Sequence, residues 1–565
     1  MSNPDALVEC VPNFSEGRDP EVIRQITAEI EAVGAVRLLD VDPGRATNRT
    51  VVTFVGPPEA VVEAAFRAIA KAALVIDMRT HTGEHPRMGA TDVCPLVPVA
   101  NITMAETVAL AHRLAERVGT ELGIPVYLYE HAASRPERRN LATIRAGEYE
   151  GLTEKMARPD WAPDFGPAEF KPRVGATVIG AREFLVAYNV NLNTTSTRRA
   201  NSVAFDVREK GRPVRVAETG EIARDEAGRE VWTPGTLKGV KAIGWYIEEY
   251  GIAQVSMNLT SLEVTPLHVA FEEARKAAAA RGLRATGSEI VGVVPLAAIL
   301  DAGRYFLARQ QRSLGVSEAE LVAMAVRSLG LSDLAPFDPQ KKVIEYILRD
   351  PADRPLAATT LEAFADATAS EAPAPGGGSV AAAVGALGAA LGTMVANLSA
   401  HKRGWDERWE FFSGWAVRGQ ESKDALLRLV DADTVAFDAL MAAHRLPKGS
   451  AEDAAARAEA IEAATRRAID VPLEVMRQAV GAMAVMEAMA AEGMASSISD
   501  AGVGAVCARA AARGAYLNVQ INAAGLADRE AAARLLADGA ALVAQAETAE
   551  ARVLARVEER IAGEP

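Results

Sequence analysis

The spacing of apolar and polar positions changes character twice along the chain. From Leu7 it predicts a strand (LVECVPNF), a helix (EVIRQITAEIEAV), two strands (VRLLDVD and RTVVTFVG), a helix (EAVVEAAFRAIAKAAL) and a strand (VCPLVPV). A further helix (AETVALAHRLAERVG) and strand (VYLYEH) follow. The strand stretches are short and rich in β-branched residues, and the helical stretches repeat at three and four. After a proline-rich polar passage, RPDWAPDFGPAEFKPR, a second set begins with the strand FLVAYNVNLN and the helix TRRANSVAFDV. The strands VKAIGWYIEE and IAQVSMNLT, the helix LHVAFEEARKAAAARG and the strand EIVGVVP complete it. The first six elements of the first set and the whole of the second run β-α-β-β-α-β, the order of a ferredoxin-like unit with helices on one face of an antiparallel sheet.

Between Arg349 and Pro375 the chain turns rich in Ala, Asp and Pro, and beyond it strand patterns vanish in favour of alanine-rich helical windows. The expected fold class is therefore α+β for the first two thirds, two ferredoxin-like β-α-β-β-α-β subdomains packed around a cleft, and then an all-α helical bundle. The boundaries read as residues 1–184, 185–348, a linker at 349–357, and 358–565. Within the helical part, SVAAAVGALGAALGTMVANL from Ser379 has the length of a membrane span. Its alanine and glycine content instead fits a helix buried between others, with Gly385, Gly388 and Gly392 permitting close backbone approach. No membrane partner is expected.

Charge narrows the functions. The 565 residues carry a net charge of −14 with no basic run, which argues against nucleic acid as a partner. Three scattered cysteines and the absence of a charged-then-apolar leader at the start fit a reduced, cytoplasmic setting.

The stretch RTHTGEHPRMGATDVCP concentrates the chemistry, since His81, Glu84 and His85 have the H-x-x-E-H spacing of a zinc site. That spacing works only on a helix; Gly83 and Pro86 favour a loop, which shifts weight to His85 as an acid/base group. A metal site and an ordinary hydrogen-bonded histidine remain as the other readings. Asp40 and Asp42 end a nearby predicted strand, and only one of them is expected to face a cleft. Arg45, Arg49, Arg79 and Arg87 cluster in the two adjoining loops, which suits a substrate carrying carboxylates. In the helical part, Asp433 falls on the stripe Leu426, Val430, Phe437, Leu440, whereas Asp431 points elsewhere. The run Gly376, Gly377, Gly378, Ser379 lacks the lysine of a phosphate loop and reads as a helix entry whose free amides could cradle a pterin or a carboxylate. Asn518 and Asn522, four apart, fit either substrate contacts or bonds between helices.

The stretches ECVPNFSEGRD, LLDVDPGRATNRTVVTFVGPPE, GEHPRMGATDVCPLVPV, IRAGEYEGL and AIGWYIEEYGIAQVSMNLT together closely resemble the glutamate formimidoyltransferase family. The remainder, opening with APAPGGGSVAAA and carrying LVDADTVAF, resembles the cyclodeaminase domain fused to it in the bifunctional members. The resemblance implies transfer of a formimidoyl group from N-formimidoyl-L-glutamate to tetrahydrofolate as co-substrate, late in histidine breakdown. Release of ammonia to leave 5,10-methenyltetrahydrofolate follows, and no metal takes part. By the same resemblance His85 is the transferase's catalytic histidine, Asp42 the aspartate beside it and Asp433 the cyclodeaminase aspartate. The folate segment falls on Gly166, Pro167, Ala168, Glu169, Phe170, Lys171, Pro172, Arg173, Val174 and Gly175. Arg45, Arg49 and Arg87 become binders of glutamate or polyglutamylated-folate carboxylates, and Gly376 to Ser379 substrate contacts. The helical domain is expected to make a homo-oligomer; a competing expectation makes it an oligomerisation scaffold with no chemistry. Residues 211–235 stand out as a polar insertion, read as a hairpin turning at Asp225–Gly228.

Overall fold

The computed structural model describes residues 6–45, 47–83, 86–217, 219–248, 250–349 and 355–563. They fall into two compact units, residues 1–298 with 329–348, and residues 299–328 with 349–565.

The first unit opens with the predicted strand LVECVPNF, broken in two by Pro12, which has no N–H for a ladder. The halves are β1 (Leu7–Cys10) and β2 (Asn13–Phe14). Both pair antiparallel with β4 (Arg49–Gly56) on one side and β5 (Thr91–Ala100) on the other, while β3 (Arg37–Gly44) pairs with the outer edge of β4. This is the ferredoxin-like strand order. Helices α1 (Pro20–Glu31), α2 (Pro58–Val75) and α3 (Met104–Glu121) cover one face. Ile26 and Ile30, Val61 and Ile69, and Leu110 and Leu114 meet Val8, Cys10, Phe54, Cys94 and Leu96 there. The sheet also brings two cysteines distant in sequence together, with Cys10 Sγ and Cys94 Sγ 3.5 Å apart in this core.

Past β5 the sheet grows by two parallel strands, β7 (Thr177–Ala181) next to β5 and β6 (Val126–Glu130) beyond it. β7, the sequence TVIGA, escapes a reading by alternation because all five residues are buried, leaving no polar beat. The proline-rich passage before it is ordered. It folds back with the short helices α4 (Leu141–Arg145) and α5 (Leu152–Met156) over the second face of the sheet, around Tyr127, Tyr129, Ile144 and Met156. Arg138, 2% exposed, holds it down. Its guanidinium bonds to Asp164 at 2.6 Å and to the carbonyls of Ala162 at 2.7 Å and Asp160 at 3.2 Å. A buried cation needs that many acceptors.

The second sheet of the same unit repeats the plan. β8 (Val186–Leu192) lies between β12 (Ile252–Leu259) and β13 (Ala285–Val291), with β11 (Val240–Ile247) outside β12, all antiparallel. The two helices of the plan are α6 (Thr197–Val207) and α7 (Leu267–Ala279). The last strand starts four residues before the predicted EIVGVVP and ends at Val291, before Gly292, whose φ of 79° leaves the strand conformation. The insertion is a meander of three runs, not one hairpin. Its outer runs pair as β9 (Arg212–Pro213) and β10 (Trp232–Thr233), and a middle run bridges at Ile222 and Arg224. The Asp225–Gly228 turn forms as expected.

In the second unit, the segment from Ile299 to Ser328 takes in most of α8 (Leu296–Arg309) and α9 (Glu318–Leu329). Short α10 (Pro339–Lys342) and α11 (Ile344–Leu348) belong to the first unit. The remainder is helical: α12 (Leu361–Ala369), α13 (Gly377–Ala400), α14 (Trp409–His444), α15 (Ala451–Glu492), α16 (Ile498–Ala523) and α17 (Arg529–Gly563). α13 is long and apolar enough by composition to cross a membrane, yet here it packs against α14, α15 and α16. Glycine sets how closely: a Cβ on Gly388 would lie 2.8 Å from the Gly504 carbonyl of α16.

Candidate active sites

The loop carrying the H-x-x-E-H spacing joins α2 to β5. His81, Thr82 and Gly83 are not helical, so the first histidine of the spacing does not sit on a helix. Glu84 and His85 lie outside the described residues. The chain just before the pair is held by Asn48, a residue that carried no signal in the sequence. Buried and at φ 48°, its side chain accepts from the Gly17 amide at 3.0 Å and donates to the Thr82 carbonyl at 2.9 Å. Its own carbonyl lies 2.9 Å from His81 Nε2. A Cβ on Gly83 would stand 2.2 Å from the Thr47 carbonyl, so the loop passes there only as glycine. His81 Nδ1 accepts from Arg87 Nε at 3.3 Å, which puts the ring proton on Nε2 facing Asn48. Burial pushes the His81 pKa below the ordinary 6.5, so the ring is a neutral strut.

Arg87, 8% exposed, already has carboxylate partners within the chain. Glu150 takes it at 2.7 and 2.9 Å and Glu148 at 3.1 Å. Tyr149, between those two glutamates, donates its hydroxyl to the Pro172 carbonyl at 2.5 Å and packs on Phe170, ring centres 5.4 Å apart. The predicted folate segment is thus tied to the motif loop. At its far end Gly175 bridges to Gly89, and a Cβ on Gly175 would lie 2.2 Å from the Met88 carbonyl. Lys171 is paired with Glu169 at 2.9 Å, and Gly166 and Gly175 have φ of 81° and 69°. The whole segment sits in the β6–β7 connection of the first sheet.

On the open face of that sheet lies a cleft of about 710 Å³. Val11, Asn13, Arg49, Pro86, Val93 and Tyr129 line it from the first subdomain, as does the chain from Asn140 to Glu148. Leu185, Lys241 and Thr260 close it from the second, so twin sheets do share a groove. Arg49 reaches in from β4 and donates to Asn13 Oδ1 at 2.7 Å. Burial lowers its pKa, the charge of Arg145 adds to that, and Asp92 and Asp42 oppose it. Asp42 is exposed on β3. The expectation that only one of Asp40 and Asp42 faces the cleft side fails, because residues two apart on a strand share a face. They register with Thr53 and Val51, on the side of β4 that carries Arg49. Arg45 is exposed beyond β3, its carbonyl receiving Arg18 Nε at 3.2 Å.

Glu9 also escaped the sequence reading. It alternates with the core residues Val8 and Cys10, so it points to the cleft side of β1, 4% exposed, and burial raises its pKa to about 7 with Arg182 opposing. Because the folded value lies above the ordinary 4.5, protonation favours the fold. This contribution is full below pH 4.5 and disappears as pH rises through about 7. Glu9→Gln is therefore expected to stabilise the first unit by about 3 kcal/mol at pH 8 and hardly at all at pH 4. Urea unfolding at both pH values checks it; an equal effect at both contradicts the assignment.

In the helical unit, Asp433 projects from α14 to the start of α13. Its carboxylate accepts from the Ser379 amide and from Ser379 Oγ at 3.1 Å, and Ser379 Oγ also reaches the Val430 carbonyl at 2.9 Å. A Cβ on Gly378 would lie 2.1 Å from Asp433 Oδ1, so the carboxylate rests on bare backbone. Burial raises the Asp433 pKa above its ordinary 3.8 against the pull of Ser379. Asp431 has a different duty, accepting the Leu356 and Ala357 amides at 2.8 and 3.2 Å. The two asparagines part company as well. Asn522 donates across to the Ala468 carbonyl of α15 at 2.8 Å, while Asn518 stands beside Gly377 at the helix entry.

Residues 7–182 match the family described as formiminotransferase domain, N-terminal subdomain, and residues 187–349 the formiminotransferase domain. Residues 360–540 match formiminotransferase-cyclodeaminase. Over 555 residues the chain is 43% identical to the formimidoyltransferase-cyclodeaminase of Gallus gallus, covering 98% of this chain and 99% of that protein. The chain belongs to the formimidoyltransferase-cyclodeaminase family. Shorter relatives match only a share of the chain. Glutamate formimidoyltransferase of Streptococcus pyogenes serotype M1 is 42% identical over 53% of this chain and 93% of its own length. Methenyltetrahydrofolate cyclohydrolase of Methylorubrum extorquens is 39% identical over 36% of this chain and 97% of its own. In the formimidoyltransferase-cyclodeaminase frame, the cleft with Arg49 falls within the transferase stretches and Asp433 within the cyclodeaminase stretch.

Proposed function

We propose that the first unit moves the formimidoyl group of N-formimidoyl-L-glutamate to N5 of tetrahydrofolate, and that the helical unit closes the product to 5,10-methenyltetrahydrofolate with loss of ammonia. The observation that carries this is the match along nearly the full length of a relative named for both activities. Attack of N5 on the amidine carbon makes a tetrahedral centre. The glutamate amine leaves it only when protonated, so one proton must depart and another arrive. An imidazole between the two nitrogens does both, and His85 is assigned that shuttle with Asp42 as the carboxylate that stabilises its charged form. In the helical unit N10 attacks the formimidoyl carbon, and Asp433 delivers the proton that turns the amino group into departing ammonia. A carboxyl with a raised pKa, held at a glycine-lined helix start, supports that role. The test supplies both substrates to the full chain, with a chelator present, and follows methenyltetrahydrofolate by absorbance. Product is expected; activity that returns only with added zinc would favour a metal site at the motif loop instead.

The helical unit also supports self-association. Leu387, Met394 and Leu398 on α13, and Val503, Val506, Leu517 and Ile521 on α16, are exposed at helical spacing along two helices that pack together. A second copy of the chain is the occupant this strip fits. Sedimentation of the wild type should give an oligomer and of Leu387→Glu/Leu517→Glu a monomer; a monomeric wild type would refute it.

A further inference from the structure

Arg145 ends α4 and lines the cleft, its side chain 15% exposed. It is held from beneath by Asp92, a carboxylate with no exposure whose other oxygen accepts the Met88 amide at 2.9 Å. Among the described residues its Nε, itself buried, has no hydrogen-bond partner. A buried guanidinium donor left over in a cavity wall calls for an acceptor from outside. Arg49 lies close enough that each feels the other's charge, and Asn13 fixes it from the side. Two guanidinium groups thus face one cleft wall near one another, Arg145 backed by the buried Asp92 and Arg49 within reach of the charges of Asp92 and Asp42. Arg87, in contrast, already has two glutamates.

Resting on the transfer reaction proposed above, we infer that Arg145 and Arg49 together clamp a carboxylate of the formimidoylglutamate donor, and that Asp92 positions Arg145 for it. A guanidinium fork matches a carboxylate by paired N–H···O bonds, which fixes the donor's orientation as well as its place. The donor is favoured over folate because its carboxylates lie only a few bonds from the reacting amidine carbon. The arginine pair shares its cleft with Pro86, the residue that follows His85. Folate's carboxylates are separated from N5 by the whole aminobenzoyl group.

Steady-state kinetics on the full chain, varying each substrate in turn, tests this. Arg145→Ala is expected to raise KM for formimidoylglutamate on the order of 100-fold, with KM for tetrahydrofolate within about threefold of wild type. Arg145→Lys should recover only part of the loss, since it keeps the charge and not the fork. A merely structural role would not separate the two KM values. A rise in KM for tetrahydrofolate alone would give the clamp to folate and overturn the proposal, as would two unchanged KM values. If the alanine variant does not fold, Arg145→Gln is used and the same outcomes apply. Were the wild type to transfer nothing, the reaction assignment would fall, and calorimetric binding of L-glutamate would still decide the clamp. Binding to wild type and not to the Arg145 variant supports it; equal binding or none refutes it.

Discussion

Asp433→Asn is expected to stop methenyltetrahydrofolate formation while formimidoyl transfer continues, so that 5-formimidoyltetrahydrofolate accumulates and ammonia is not released. Asparagine is nearly the same shape and still accepts from Ser379, whose Oγ stands 3.1 Å from the carboxylate. What it cannot do is carry a proton to the leaving nitrogen. Loss of a positioned acid of this kind costs about 10²- to 10⁴-fold in rate, which sets the expected size. Because the substituted side chain stays within the Gly378 recess, the helical unit should keep its thermal stability. An ammonia release rate equal to wild type would return the helical unit to the standing of an oligomerisation scaffold.

His85→Ala is expected to do the reverse. Transfer should fall by about 10³-fold, in the range for removal of a general acid/base, while 5-formimidoyltetrahydrofolate supplied directly is still converted. The fall should appear in kcat, because the histidine acts on protons in flight and not on ground-state binding. His81→Ala provides the contrast. His81 holds the loop through Asn48 and Arg87, so its loss should loosen the loop without removing the proton shuttle, and a smaller drop follows. Equal drops for both variants would mean that the motif works as a joint unit and not through one imidazole.

The architecture was largely legible because both sheets follow alternation and both helical faces follow their period. β7 was hidden because a strand buried on both faces has no polar positions to mark it. The passage from His131 to Ala176 showed no periodic pattern, because its order comes from one arginine, Arg138, finding acceptors more than twenty residues away. The candidate sites divide along the same line. Spacing put Asp433 on the apolar stripe of its helix and the resemblance supplied its role, while Asp431, expected to point elsewhere, is the more buried of the two. In the loops, the resemblance supplied the motif residues, and what tertiary contact decides went unseen. Arg87 looked like a substrate binder and is taken by Glu148 and Glu150, while Arg145 and Glu9 gave no local signal, since Asp92 and the sheet that define them arrive from elsewhere. Gly388 was read correctly as letting two helices approach closely, and Gly83 is needed for a different reason than expected, since helix breaking matters less there than the Thr47 carbonyl against it.

The central claim is that one chain holds two separately built sites that act in series. Mixing equal amounts of the full-length His85→Ala and Asp433→Asn proteins with formimidoylglutamate and tetrahydrofolate tests it most directly. Each variant alone should give almost no methenyltetrahydrofolate, and the mixture should produce it steadily as one protein's product becomes the other's substrate. A mixture as inactive as its components would contradict the account.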